Sequence, residues 1–332
     1  MKKRILTGDR PTGKLHLGHY LGSLANRIRL QNEWELCVLV ADYHTLTTKP
    51  EESNLLAERI HGMVLDYLAA GIDPEVSHIY VQSQLPQTAV LTLLFSMITQ
   101  VPRLERIPTL KDILRVQKIQ EASLGLLGYP VLQSADILIV RAQLVPVGKD
   151  QESHIELTRE IARRFNHMYG REVFPEAAAL IGEVRTLVGT DGTEKMSKSL
   201  DNCIYLSDSP AEVERRVKGM YTDPTRLRAT DPGHVEGNPT FDYHDAFNDD
   251  KAEVADLKER YVAGRVGDVE VKKKLAAAIN RFLEPMRERR AKYEQRPGFV
   301  REVLAAGAEH ARQLGQETID MAHDAMGMSY QF

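Results

Sequence analysis

Two histidines near the start of the chain, His16 and His19, and two lysines far downstream, Lys195 and Lys198, have the types and spacing to handle anions. The histidines belong to Gly8-Asp9-Arg10-Pro11-Thr12-Gly13-Lys14-Leu15-His16-Leu17-Gly18-His19. This stretch leaves Ile5-Leu6, which reads as a strand end, and enters Leu21, Leu24, Ala25 and Ile28, whose spacing predicts a helix. The pair therefore falls near a helix N-terminus, where free backbone N–H groups and the helix dipole favour an anion. Gly18 and Gly22 leave the backbone bare, so a flat group can lie against it. A nucleotide fits that description.

A phosphate-binding P-loop is excluded. Gly8, Gly13 and Lys14 match G-x-x-x-x-G-K, but Leu15 stands where magnesium needs a hydroxyl. Pro11 also removes a backbone N–H from a loop that would have to present them. The lysines lie in Lys195-Met196-Ser197-Lys198-Ser199, within a stretch from Arg185 to Asn202 that has no helix or strand pattern. With Gly189 and Gly192, it reads as an exposed, mobile loop.

The elements that must position these groups follow an α/β pattern. Leu36-Cys37-Val38-Leu39-Val40-Ala41-Asp42 reads as a continuous apolar run, as in a strand buried on both faces, with Tyr43-His44-Thr45 beyond its C-terminal end. Residues Glu52 to Ala70 read as a helix and Ile79–Val81 as a strand, giving a doubly wound parallel sheet. A helical insertion is expected over about 85–128, stopped by Gly128-Tyr129-Pro130. Leu144–Val147 is the next short strand. The reading is a Rossmann-like catalytic domain over 1–186, a mobile loop over 187–203 and an all-α domain over 204–332, with its last helix packing back on the first domain.

Composition narrows the class. The chain has 332 residues, 42% hydrophobic and 27% charged, which suits a globular protein with ample core. No apolar run reaches about 18 residues, so no membrane span is expected. Cys37 and Cys203 cannot make a Cys-only metal site, and no structural metal is expected. Without a signal-peptide pattern the chain reads as cytoplasmic. The net charge of −4 does not announce a nucleic-acid binder, although a local basic face suffices for one.

Taken together, P-T-G-x-L-H-L-G-H and the unmodified Lys195-Met196-Ser197-Lys198-Ser199 match the HIGH and KMSKS motifs of class I aminoacyl-tRNA synthetases. Tyr129-Pro130-x-Leu132-x-x-Ala135-Asp136-Ile137-Leu138 and Gly148-Lys149-Asp150-Gln151-x-x-His154 narrow the likeness. The chain resembles the bacterial tryptophanyl-tRNA synthetase family from Leu6 to its last helix. The resemblance implies activation of L-tryptophan by ATP with Mg²⁺, then transfer to tRNA(Trp), by a homodimer. Such chemistry needs no protein nucleophile, only donors and positive charge aimed where charge develops.

By the same resemblance His16, His19, Lys111, Lys195 and Lys198 take catalytic positions. Arg10, Pro11, Thr12, Gly18, His19, Gly148, Lys149, Asp150, Val184 and Lys195-Met196-Ser197-Lys198-Ser199 fall on ATP-contacting ones. Asp136 matches the carboxylate that accepts from the indole N–H, Tyr129 and Gln151 hold the α-amino group, and Leu6, His44 and Gln133 line the pocket. His154 is expected to organise its helix start. Arg287, Arg289 and Arg290 are expected at the tRNA, within a basic run that includes Lys272, Lys273 and Lys274. Many relatives have glutamine in place of Arg10 and methionine in place of Gln133, which bears on pocket selectivity. The rival readings are a tyrosyl-tRNA synthetase, a small-molecule nucleotidyltransferase of the same superfamily, and an auxiliary or inactive paralogue.

Overall fold

The computed structural model describes residues 3–116, 118–148, 151–181, 187–226 and 228–330. Five parallel strands, β1 (Arg4–Asp9), β2 (Glu35–Val40), β3 (Ser77–Val81), β4 (Leu144–Val147) and β5 (Ala178–Ile181), form one sheet in the order β3-β2-β1-β4-β5. The doubly wound parallel sheet expected from sequence is thus present. β5 was not anticipated, since an apolar run of only four residues at the sheet edge carries little periodic signal. The strand order reverses between β1 and β4, and in open α/β sheets ligands bind beyond the carboxyl ends at such a point.

Strand alternation divides the core in two. Leu6, Cys37 and Leu39 face a cluster with Phe95, Ile137 and Ala311; Ile5, Val38 and Val40 face another with Tyr67, Ile204 and Leu275. The second cluster runs from the sheet into the helices beyond 204, so the two parts share apolar core. That burial, at roughly 25 cal/mol per Å² of apolar surface, is what joins them.

The last helix, Phe299–Ala325, returns to lie on β3. Its Gly307 makes this possible, because a Cβ there would stand 2.0 Å from the Ile79 carbonyl oxygen. One sequence expectation is corrected. Gly128-Tyr129-Pro130 does not stop a helix; a single helix runs Leu124–Ile139 through Pro130, capped by Ser123 Oγ, which accepts the Leu126 N–H at 3.1 Å. A proline early in a helix removes one hydrogen bond, and the buried face from Leu126 to Ile139 outweighs that loss.

Candidate active site

A cavity of about 850 Å³ opens beyond the carboxyl ends of β1 and β4. Leu6, Arg10, His44, Tyr129, Gln133, Asp136, Gly148 and Gln151, all singled out in the sequence, line it together. The sheet supplies Leu6 and Val147, the Leu124–Ile139 helix supplies Tyr129, Gln133 and Asp136 at helical spacing, and Gln151 precedes the Glu152–Tyr169 helix.

Asp136 is 2% exposed and its carboxylate is fully committed to a fixed orientation. Gln82 Nε2 donates to both oxygens, at 2.9 and 2.8 Å, and His44 Nε2 lies 2.9 Å from Oδ2. Gln82 Oε1 in turn accepts the His44 backbone N–H at 3.3 Å. Burial pushes the Asp136 carboxyl above the usual range, while the bonds from His44 and Gln82 pull it back. Gln82 was missed in the sequence. Its place directly after the Ile79-Tyr80-Val81 run, at the carboxyl end of a strand where ligands sit in α/β sheets, was the available signal.

At the side of the cavity the Tyr129 hydroxyl lies 2.9 Å from Thr109 Oγ1 and 3.0 Å from His154 Nε2. His154 Nε2 therefore helps to orient Tyr129. Lys111 sits two residues from both Thr109 and Ile113, which face the cavity; it is exposed on the opposite side of that helix and does not line the space. Its expected catalytic placement is not met in this arrangement.

A second group surrounds the two sequence motifs. The helix that follows β1 begins Leu17–His19, widens into a π-turn over Tyr20–Leu24 and continues Ala25–Leu30. The rings of His16 and His19 stand 3.7 Å apart, and the His16 N–H donates to His19 Nδ1 at 3.2 Å. Burial, helped by His19 and Lys198, lowers His16 to about 3. Burial also lowers His19 to about 4, against the pull of Asp9. Both are neutral near pH 7, so they can serve as hydrogen-bonding groups and not as cations. Asp9 is held at about 2: burial would raise it, but Arg27 and the Tyr67 hydroxyl donate to Oδ2 at 2.7 and 2.6 Å.

The distant lysine motif lies on this helix start. The Gly18 N–H donates to Met196 Sδ at 3.3 Å, and Lys198 Nζ donates to Thr12 Oγ1 at 3.2 Å. A Cβ on Gly18 would stand 3.0 Å from the His16 ring and 3.4 Å from Met196 Sδ, which explains why this position is bare. The chain following the motif is stitched to the first helix: Leu17 N–H donates to Ile204 O and Leu206 N–H to Leu15 O, both at 2.9 Å. Ser197 Oγ and Ser199 Oγ are 2.9 Å apart, Lys195 is exposed, and Pro11 is buried beside exposed Thr12. Lys149, Asp150 and Val184 lie outside the described residues.

The basic run is employed differently from the sequence expectation. Arg287 donates to the carbonyl of Asp208 at 2.9 Å, Arg289 to that of Ala69 at 2.7 Å, and Arg290 pairs with buried Asp66 at 2.5 Å. Lys272 is buried, with Nζ donating to Met220 O at 2.6 Å. Arg289 and Arg290 tie the helical part to the Leu56–Ala70 helix, while Arg287 and Lys272 bond within the helical part, so these four are engaged inside the protein.

Residues 1–284 match the family of class I tRNA synthetases for tryptophan and tyrosine (W and Y). The chain is similar to the tryptophan–tRNA ligase of Treponema pallidum, 56% identical over 328 residues, covering 98% of this chain and 97% of that one. It is 51% identical to the tryptophan–tRNA ligase of Borreliella burgdorferi over 333 residues, 99% and 95% of the two chains. Its fold superposes on the crystal structure of Campylobacter jejuni tryptophanyl-tRNA synthetase, complexed with ADP and tryptophan, with a TM-score of 0.86. That relative is 34% identical and the match covers 98% of this chain and 99% of that one.

Proposed function

Because the chain belongs to the class I tryptophan and tyrosine tRNA synthetases, we infer that it is a tryptophan–tRNA ligase. It activates L-tryptophan with ATP and transfers it to tRNA(Trp). The observation that carries the choice of amino acid is Asp136, buried at the cavity wall with its carboxylate fixed by Gln82 and His44. Such a group only accepts, and the indole N–H is the one polar atom of the tryptophan side chain.

In the first step the tryptophan carboxylate attacks the α-phosphorus of ATP, the α–β phosphoanhydride breaks, and pyrophosphate leaves. In the second, a ribose hydroxyl at the tRNA 3′ end attacks the acyl carbon and AMP leaves. Both steps depend on positioning and on charge stabilisation. Tyr129 and Gln151 suit the α-amino group; His16, His19 and the backbone at Gly18 suit the phosphates. Lys195 and Lys198 supply the positive charge that the leaving pyrophosphate requires, with Lys149, Asp150 and Val184 assigned to ATP by resemblance alone.

Mg²⁺ would arrive with the triphosphate. Among the described residues, the two carboxylates that line the cavity, Asp9 and Asp136, are already bonded within the protein, so phosphate oxygens and water would hold the ion, as Mg²⁺ prefers. Its part is to neutralise charge on the leaving group.

The helices beyond 204 are assigned to the tRNA anticodon end, in a cytoplasmic protein. Dimerisation through a second copy is supported by an apolar stripe on the Gln87–Ile98 helix: Val90, Leu93 and Met97 are exposed at 40%, 59% and 68%, in line with Val101 at 50%. Leu93→Glu, read by light scattering, should give monomers.

ATP–pyrophosphate exchange with each amino acid in turn tests the whole reading. Tryptophan should stimulate exchange; stimulation by tyrosine instead would support the tyrosyl alternative, and by neither a different acid substrate or an inactive paralogue.

A further inference from the structure

At the opposite end of the sheet from the cavity, three side chains converge that the activity above does not use. Glu35 opens β2, His78 is the second residue of β3, and His310 lies on the last helix where it crosses β3. One donor atom from each lies within 4.8 Å of the others, and all three residues are partly buried. His310 Nε2 stands 2.9 Å from Glu35 Oε1, while Arg4 Nε holds the other oxygen, Oε2, at 3.1 Å. The His78 and His310 rings are stacked, with centroids 3.6 Å apart and planes 17° from parallel.

We propose that Glu35, His78 and His310 form a zinc-type divalent metal site that clamps the last helix to the sheet. A simple pin between helix and strand would need only the His310–Glu35 hydrogen bond. The second imidazole brings another ring nitrogen to the same place, and among the described residues that ring's contact is the stack itself. Two imidazoles and a carboxylate, with water as the fourth ligand, are a donor set that suits Zn²⁺ and not Mg²⁺ or Ca²⁺.

Three features favour binding. The donors come from three rigid elements, and Gly307 has already brought the helix into backbone contact with β3 one turn away. Arg4 orients the carboxylate and leaves Oε1 for the ion, as outer partners of metal ligands do. Partial exposure admits the ion and its water. A tetrahedral ion needs donor atoms about 3.3 Å apart, so the two rings tilt out of their stack as it enters. The charge of Arg4 opposes the ion, which makes the site one of moderate and reversible affinity. This departs from the sequence expectation of no structural metal.

The test is titration of the full-length, chelator-treated protein with Co²⁺ and Zn²⁺. The proposal expects visible d–d bands of tetrahedral Co²⁺, displaced by one equivalent of Zn²⁺ per chain, and a rise in Tm with Zn²⁺. His310→Gln and His78→Asn should each weaken Zn²⁺ at least tenfold and abolish the bands while the wild-type circular dichroism is retained. Glu35→Gln should weaken it less. Absence of tetrahedral bands in the wild type, or bands and stoichiometry unchanged in both histidine variants, would overturn the site and leave the cluster a structural contact only. If a histidine variant does not fold, the wild-type stoichiometry and bands still decide. Tryptophan-dependent exchange does not enter either readout, so the proposal stands or falls separately from the function above.

Discussion

The backbone N–H of Gly18 donates to the sulfur of Met196 across 3.3 Å, joining two motifs that lie 178 residues apart in the chain. The contact sets the lysine loop down on the start of the first helix, where Lys198 Nζ reaches Thr12. These two bonds to the helix start, one to a thioether and one to a hydroxyl, are weak, since sulfur is a poor acceptor. Triphosphate oxygens would compete well for the same N–H and for Lys198.

Lys195→Ala and Lys198→Ala should each cut the adenylation rate by about 10²–10³, the usual loss for one positioned charge in such a site. Tryptophan affinity by calorimetry should stay within a few-fold. Equal losses in both would make the lysines structural.

Asp136 should decide between tryptophan and its benzothiophene isostere, which has sulfur in place of the N–H. A hydrogen bond to a charged group contributes about 1.5–3 kcal/mol, and an unpartnered buried acceptor penalises the isostere further. Asp136→Ala should lower kcat/KM for tryptophan far more than for the isostere. Gln82→Leu should act in the same direction but less, by freeing the carboxylate it fixes. Parallel losses for both substrates would assign Asp136 to helix packing.

The motif histidines should make the fold acid-sensitive. Folded, His16 and His19 sit at about 3 and about 4, against 6.5 in the unfolded chain. Between these values the unfolded state binds more protons, so stability is full above pH 6.5 and falls as pH drops toward 4, by up to about 1.4 kcal/mol per unit per histidine. Asp9, held at about 2, adds a loss of the same sign below its unfolded 3.8. Raised Asp66 and Asp136 act oppositely. Urea unfolding from pH 7 to 5 should therefore be steeper for the wild type than for His16→Gln/His19→Gln; identical slopes would refute the assignment.

Arg290→Ala should loosen the junction between the Leu56–Ala70 and Asp268–Glu294 helices. Its partner Asp66 is 2% exposed and also accepts the Leu15 N–H at 2.9 Å, next to His16. Breaking a fully buried pair costs about 3–5 kcal/mol; Arg290 is 21% exposed, so the loss is smaller. A drop in urea midpoint together with slower exchange is expected. Loss of tRNA charging alone, with stability and exchange intact, would return Arg290 to the tRNA.

What the sequence determined by itself was local or motif-borne. A continuous apolar run marked β2, because a strand buried on both faces admits little else, and the short apolar segments Ile5-Leu6 and Ile79–Val81 marked β1 and β3. The glycine-rich turn with its histidines and the lysine pentapeptide pointed to nucleotide chemistry before any contact was known. Tertiary structure alone decided what depends on approach from elsewhere in the chain. Gln82 acquires its role only because β3 ends beside the helix bearing Asp136. The arginines at 287, 289 and 290 look the same in sequence whether they face solvent or the carbonyls of residues 208 and 69. The helix through Pro130 survives because burial over sixteen residues outweighs one missing hydrogen bond. Lys111 leaves the cavity by a half-turn of its helix, a matter of phase fixed by how Thr109 and Ile113 pack. Spacing along the chain specifies what a residue can do; which partner it meets is set by packing across the sheet.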